Sequence, residues 1–235
     1  MSMTKTSVSL GLLLLVGFTS CATYRQRRID IHPVDHYAHL TTAHGISVAA
    51  DSYHSKEKAQ QGFTIDVTRK GFLPVNLILK NDSYEEICVR KDAVKLIDTH
   101  GLDYRPVDAK DMSGRFKKNP VLRFVAGSVI SVVIGAAGFV SAILDNRKMR
   151  ADWQEKEIQD PLIVEPGGQR NGFVYFKVPE GTTTAVSKLC LESESLESGE
   201  RIEFEFIPGE NGTRISLSPP KEKKPRHPGS IQSGR

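Results

Sequence analysis

Recognisable catalytic signatures are what this chain most lacks. It carries no Gly-x-Ser-x-Gly elbow, no phosphate-cradling glycine loop, no calcium loop and no His-Glu-x-x-His helix. Dispersed Ser, His and Asp residues can still converge in space, as in most chains. Cysteine is scarce, with Cys21, Cys88 and Cys190 the full complement, so a disulfide-dense scaffold and a cysteine-rich zinc module are both excluded. No nucleophile motif surrounds Cys88 or Cys190. The formal net charge is only +4, and much of the excess lies near the ends, in Arg25, Arg27 and Arg28 and in Lys221, Lys223, Lys224 and Arg226. No aromatic-studded basic stripe accompanies these charges, which argues against a nucleic-acid partner. No motif points to a small-molecule substrate or a cofactor, and no residues are assigned as metal ligands.

What is present begins at the amino end. Lys5 precedes an apolar run, Leu10 to Val16, which leads through Gly17-Phe18-Thr19-Ser20 to Cys21. This pattern resembles the bacterial lipoprotein signal, in which the cysteine is lipidated and the preceding residues are removed. Phe18 stands where that family usually has leucine. The competing reading is ordinary secretory cleavage after Ala22, with Ser20-Cys21-Ala22 as a small-x-small site. The resemblance implies an envelope protein attached to the membrane through Cys21. By analogy with enterobacterial lipoproteins, Ala22 in place of Asp implies the outer membrane. Arg25, Arg27 and Arg28 would then lie near anionic headgroups or in a solvated linker.

From Gly71 onward short strands are expected. Val75, Leu77 and Leu79 alternate with Asn76, Ile78 and Lys80, before an Asn81-Asp82-Ser83 turn. Val94, Leu96 and Asp98 lead into Thr99-His100-Gly101 as a hairpin. Later, Pro166-Gly167-Gly168 marks a turn, residues 173–178 and 185–191 read as strands, and Ile202, Phe204 and Phe206 alternate with Glu203 and Glu205. These strands predict a mainly β fold, an antiparallel immunoglobulin-like β-sandwich carrying a hydrophobic helical insertion. The expected divisions are a signal peptide at 1–20, an anchor linker at 21–44, and the first part of the sandwich at 45–118. The insertion follows at 119–159, then the second part at 160–218 and a disordered basic tail at 219–235.

The insertion contains 21 uncharged residues, 124–144, just enough to span a bilayer as one helix. Gly127, Ser131 and Gly135 recur every four residues, so a helix would present a face open to close approach. A single span would separate the two strand blocks, so a helical excursion returning to the same domain is preferred. Gly135-Ala136-Ala137-Gly138 is a candidate break between two shorter helices. Phe124, Gly127, Ser131, Gly135 and Phe139 are candidate contacts to the membrane or a protein partner. Packing in the core of the protein is the plainer alternative.

Five of the seven histidines lie between His32 and His54. His36 and His39 would share one face of a helix and could ligate zinc or copper, but paired ligand spacings are lacking and a solvated stalk is the simpler reading. Cys88 and Cys190 form a candidate disulfide in an oxidising compartment. Their phase, bracketed by Ile87 and Val89 and by Leu189 and Leu191, directs both away from the apolar face. That leaves a bond between neighbouring strands on an outer face, or none. The function expected is a non-enzymatic, lipid-anchored envelope protein that binds or scaffolds another envelope component through its β-sandwich and hydrophobic insertion. The alternatives are a membrane-organising protein acting through 124–144 and a metal-dependent enzyme built on the histidine-rich segment.

Overall fold

The computed structural model describes residues 24–119, 132–180, 186–206 and 215–218, with residues 132–138, 186–187 and 215–218 as backbone alone. The described residues fall into two units. One is helical, from residues 24–29, 55–70, 108–119 and 132–156; the other is β-rich, from 30–54, 71–107 and the chain after 156.

The β-rich unit holds two antiparallel sheets. The first has β1 (Leu40–Ala43), β2 (Ile46–Ser52), β3 (Phe72–Asn81), β8 (Gln169–Lys177) and β6 (Pro106–Val107) in that order. The second runs β11 (Ile215–Ser218), β10 (Arg201–Phe206), β9 (Val186–Ser195), β4 (Ile87–Asp98) and β5 (Asp103–Tyr104), while β7 (Leu162–Val164) also pairs with β4. Both sheets feed a single apolar cluster. Leu73, Val75, Leu77, Leu79, Val174 and Phe176 enter it from the first sheet, and Ile87, Val89, Val94, Leu96, Leu189, Leu191, Ile202, Phe204 and Phe206 from the second. Each large side chain withdrawn from water in this way contributes about 1.5–3 kcal/mol before entropy is counted.

Alternation in β10 follows the sequence expectation: Ile202, Phe204 and Phe206 are buried, while Arg201, Glu203 and Glu205 keep partial access to solvent. The expectation for β3 needs correction. Its supposed polar face is also dry, since Phe72, Asn76 and Ile78 are buried beside Val75 and Leu77, and Ile78 packs with Val34 and Ala49. The expected turns occur. The Asn81 side chain braces the first, accepting from the Ser83 amide and donating to the carbonyls of Glu85 and Val164. Asp98 holds the second, accepting from the amides of His100 and Leu102 and from the Tyr104 hydroxyl at 2.8–2.9 Å.

The anchor linker expected through residue 44 is overturned in part, because β1 lies inside it and pairs with β2 through the His44-Gly45 turn. Both turn residues have positive φ, 51° and 77°, the backbone of a tight two-residue hairpin. Nor is the histidine-rich stretch a free stalk: Gln169 accepts from the Val34 amide and donates to the His32 carbonyl.

The helical unit contains α1 (Lys56–Phe63), α2 (Ala109–Arg115) and α3 (Val132–Lys156). Ser55 caps α1 by accepting from the Lys58 amide at 3.2 Å. The break expected at residues 135–138 does not form, and α3 runs through it. Two glycines there cost about 1 kcal/mol each in helix propensity, which the remaining turns of a 25-residue helix offset. Among the described residues, no helix is long and apolar enough to cross a membrane. Trp153 is completely buried on α3, with Phe63 of α1 and Phe116 set edge-on to it at 5.9 and 5.6 Å between ring centres.

Candidate functional site

Two places concentrate polar chemistry, one in each unit. In the helical unit, the chain just after the amino-terminal apolar run is fastened to α3. The Tyr24 hydroxyl donates to Asp152 and accepts from the Trp153 indole N–H at 2.9 Å, while the Tyr24 amide donates to Asp145 at 3.1 Å. Lys156 donates to Asp152 at 2.7 Å and to the Gly62 carbonyl at 2.9 Å. Burial, and then the neighbouring Asp152, push the Tyr24 hydroxyl above its ordinary range, so it stays protonated as a donor. Burial lowers the Lys156 ammonium, an effect Asp152 opposes. Thr64 donates to the Arg25 carbonyl, and Gln26 to Glu155, which secures the segment on either side of α1 and α3.

Asp145 and the residue after it also close the long apolar excursion. Asn146 accepts from the Lys118 amide at 2.8 Å and donates to the Lys118 carbonyl at 2.9 Å, bracketing that peptide. The Lys118 ammonium reaches Asp145 at 2.5 Å. The chain therefore leaves at residue 118 and is back at the same point by residue 146. The two ends of the stretch thus meet at one place. Immediately before the bracket, Phe139, Val140 and Leu144 are exposed on α3, Val140 by 53%. Immediately after it, Arg147 and Lys148 are exposed, as is Lys117 on the other arm.

In the β-rich unit, the outer face of the second sheet is charged. Arg201 spans Glu192 and Glu194 at 3.0 and 3.2 Å, and Lys188 meets Glu205 at 2.9 Å. A cleft of about 360 Å³ opens there, lined in part by Arg90, Lys95, Arg105, Glu194, Arg201 and Glu203. Cys190 lies at its base with only 6% exposure, beneath these long side chains. Burial raises the Cys190 thiol and, with Glu194 next in weight, the Cys88 thiol, which disfavours the nucleophilic thiolate at both. Cys190, Glu203 and Glu205 bring potential metal ligands within 4.8 Å of one another, yet Lys188 already neutralises Glu205 and the thiol favours its protonated form. The cluster is a self-compensating ladder of charge. Its glutamates alternate visibly in the sequence, but the strand pairing that sets them over Cys190 does not.

The candidate disulfide is overturned. Both thiols are free, and the ladder sets Cys88 opposite Glu194 but Cys190 opposite Lys95. Four residues of β9 separate the two levels, roughly 13 Å at strand rise, whereas a bridge needs Cα atoms within about 7 Å. The sequence phase did place both on the outer face. His36 and His39 do not share a helical face either: His36 ends a three-residue turn and extended chain follows. Of the candidate contact residues, Phe139 is 37% exposed on α3 and Gly135 belongs to the same helix. Phe124, Gly127, Ser131 and the lipidation candidate Cys21 lie outside the described residues, as do the signal segment and the basic tail.

No family model and no curated protein matches this chain. Among solved structures, the crystal structure of the yjhA protein from Bacillus subtilis is similar at 11% identity, covering 68% of this chain and 79% of that one. With a TM-score of 0.32, the likeness carries no argument about fold or function.

Proposed function

We propose that this chain is a non-enzymatic, lipid-anchored protein of the bacterial envelope, held at the outer membrane through Cys21, that binds or scaffolds another envelope component. Its two sheets are read as an immunoglobulin-like sandwich, and the partner as an envelope protein engaging the charged outer face of the second sheet. The observation that carries the proposal is the fastening of Tyr24 to Asp145, Asp152 and Trp153. Tyr24 follows Cys21 by three residues, a reach of at most about 11 Å. A lipid on Cys21 would therefore hold a folded helical unit at the membrane instead of trailing it on a stalk, which suits a protein whose task is to hold something in place. The salt-bridged sheet face supplies a polar, shape-defined surface for such a partner, although exposed ion pairs of this kind contribute only about 0–1 kcal/mol each to stability.

The test has two arms. Metabolic labelling with palmitate should mark the wild-type chain and spare Cys21→Ser; label that persists in the variant removes the anchor. Crosslinking in intact cells should then yield a discrete adduct through the β-rich unit that Arg201→Glu with Lys188→Glu abolishes. An unchanged adduct removes the sheet face as the binding surface.

A further inference from the structure

We infer that the exposed apolar stretch of α3 from Phe139 to Leu144 docks into the same membrane leaflet that would receive the lipid on Cys21, making the helical unit a monotopic, two-point membrane module. The occupant is an anionic lipid surface. Three observations carry this. Phe139, Val140 and Leu144 are exposed together over less than two turns of α3, at 37%, 53% and 47%. The next turn changes to exposed Arg147 and Lys148, with exposed Lys117 on the arm bracketed to it. An apolar stretch followed by basic residues is the order in which acyl chains and phosphates are met on leaving a leaflet. Finally, Asp145 ties the Tyr24 amide to that boundary, so Tyr24, three residues after Cys21 in the sequence, lies where the apolar residues give way to basic ones.

A second copy of the chain fits the charges less well, since two sets of basic residues would face each other. The inference rests on the lipoprotein reading only for the neighbouring position of Cys21; vesicle binding by α3 itself needs no lipid on the protein.

The experiment uses the mature full chain with Cys21→Ser, so that no acyl group is present, and flotation with vesicles of phosphatidylethanolamine and phosphatidylglycerol or of phosphatidylcholine alone. The expected result is flotation with the anionic vesicles, reduced at least tenfold by Val140→Asp with Leu144→Asp. Arg147→Glu with Lys148→Glu should lower it several-fold, more at low salt than at high salt. Trp153 emission and circular dichroism must be unchanged in each variant; Val140→Ser with Leu144→Ser, a milder pair, provides the same comparison should the aspartates unfold the helix. No flotation by Cys21→Ser, or equal flotation by the apolar variants, overturns the inference. So does a concentration-dependent dimer that ignores vesicles and is lost in the same variants, which would assign the face to a second copy. Palmitate labelling of the wild type is read separately, so failure of lipidation and failure of α3 docking remain distinct.

Discussion

Removing one oxygen atom by Tyr24→Phe should loosen the helical unit measurably. In the wild type that oxygen accepts from the Trp153 N–H and donates to Asp152, with Tyr24, Asp152 and Trp153 all buried. Phenylalanine fills nearly the same space, so little packing is lost. The indole N–H, however, is left without this acceptor in a dry site, costing about 1–3 kcal/mol, and a bond to a charged carboxylate worth about 1.5–3 kcal/mol disappears. Asp152 retains Lys156 at 2.7 Å, but its Oδ1 has no hydrogen-bond partner among the described residues. Relaxation and shared partners make the two losses less than additive, and a net destabilisation of about 3 kcal/mol is expected. Trp153 is the only tryptophan in the chain, so its fluorescence reports on this cluster alone. With a urea slope near 2 kcal/mol per molar, the midpoint of the Trp153 transition should fall by about 1.5 M. A shift below about 0.3 M, with unchanged emission, would refute the buried network that joins the Tyr24 hydroxyl to α3.

Other expectations follow from single sites. Gly71 has φ of +67°, and a Cβ there would lie 2.2 Å from the Val178 carbonyl oxygen; Gly71→Ala should cost about 2–3 kcal/mol, read from chemical denaturation followed by the β signal in circular dichroism. Without reduction, Cys88 and Cys190 should both react as free thiols, with Cys190 alkylated more slowly because it is the more deeply buried; one bridged pair would contradict the strand register. The Leu102 amide above all, aided by Tyr104 and His100, holds the Asp98 carboxyl below its ordinary value of 3.8. Because the folded value is the lower one, the stabilisation is present above pH 3.8 and is lost as pH falls through the folded value. Nuclear magnetic resonance titration of the His100 and Leu102 amides should therefore inflect below 3.8, and an inflection at or above it would remove the hydrogen-bonded turn.

Strand identity was most legible where one face is wet. In β10 the glutamates remain accessible while Ile202, Phe204 and Phe206 are buried, so period-two alternation marks the dry face directly. It was misleading in β3, where both faces are covered and Ile78 and Asn76 are as buried as Leu77; alternation encodes a wet face only if the tertiary structure leaves one. The β1–β2 hairpin was missed because His44 occupies a left-handed position that glycine or asparagine fills more often. Gly135 and Gly138 looked like a break, yet local propensity is a weak signal beside the continuity of a long helix.

The chain's own residues determine a mainly β protein with one apolar helical excursion and a cysteine set to follow a signal-like run, because periodicity, turn residues and run length are local properties. Only the tertiary structure decided that the excursion closes on itself at Lys118 and Asn146, that Cys88 and Cys190 stand at different levels of one ladder, and that Tyr24 locks onto α3. These outcomes depend on partners far apart in sequence, 121 to 129 residues for the Tyr24 contacts, and the free energy that selects them arises from side chains that meet only within each folded unit.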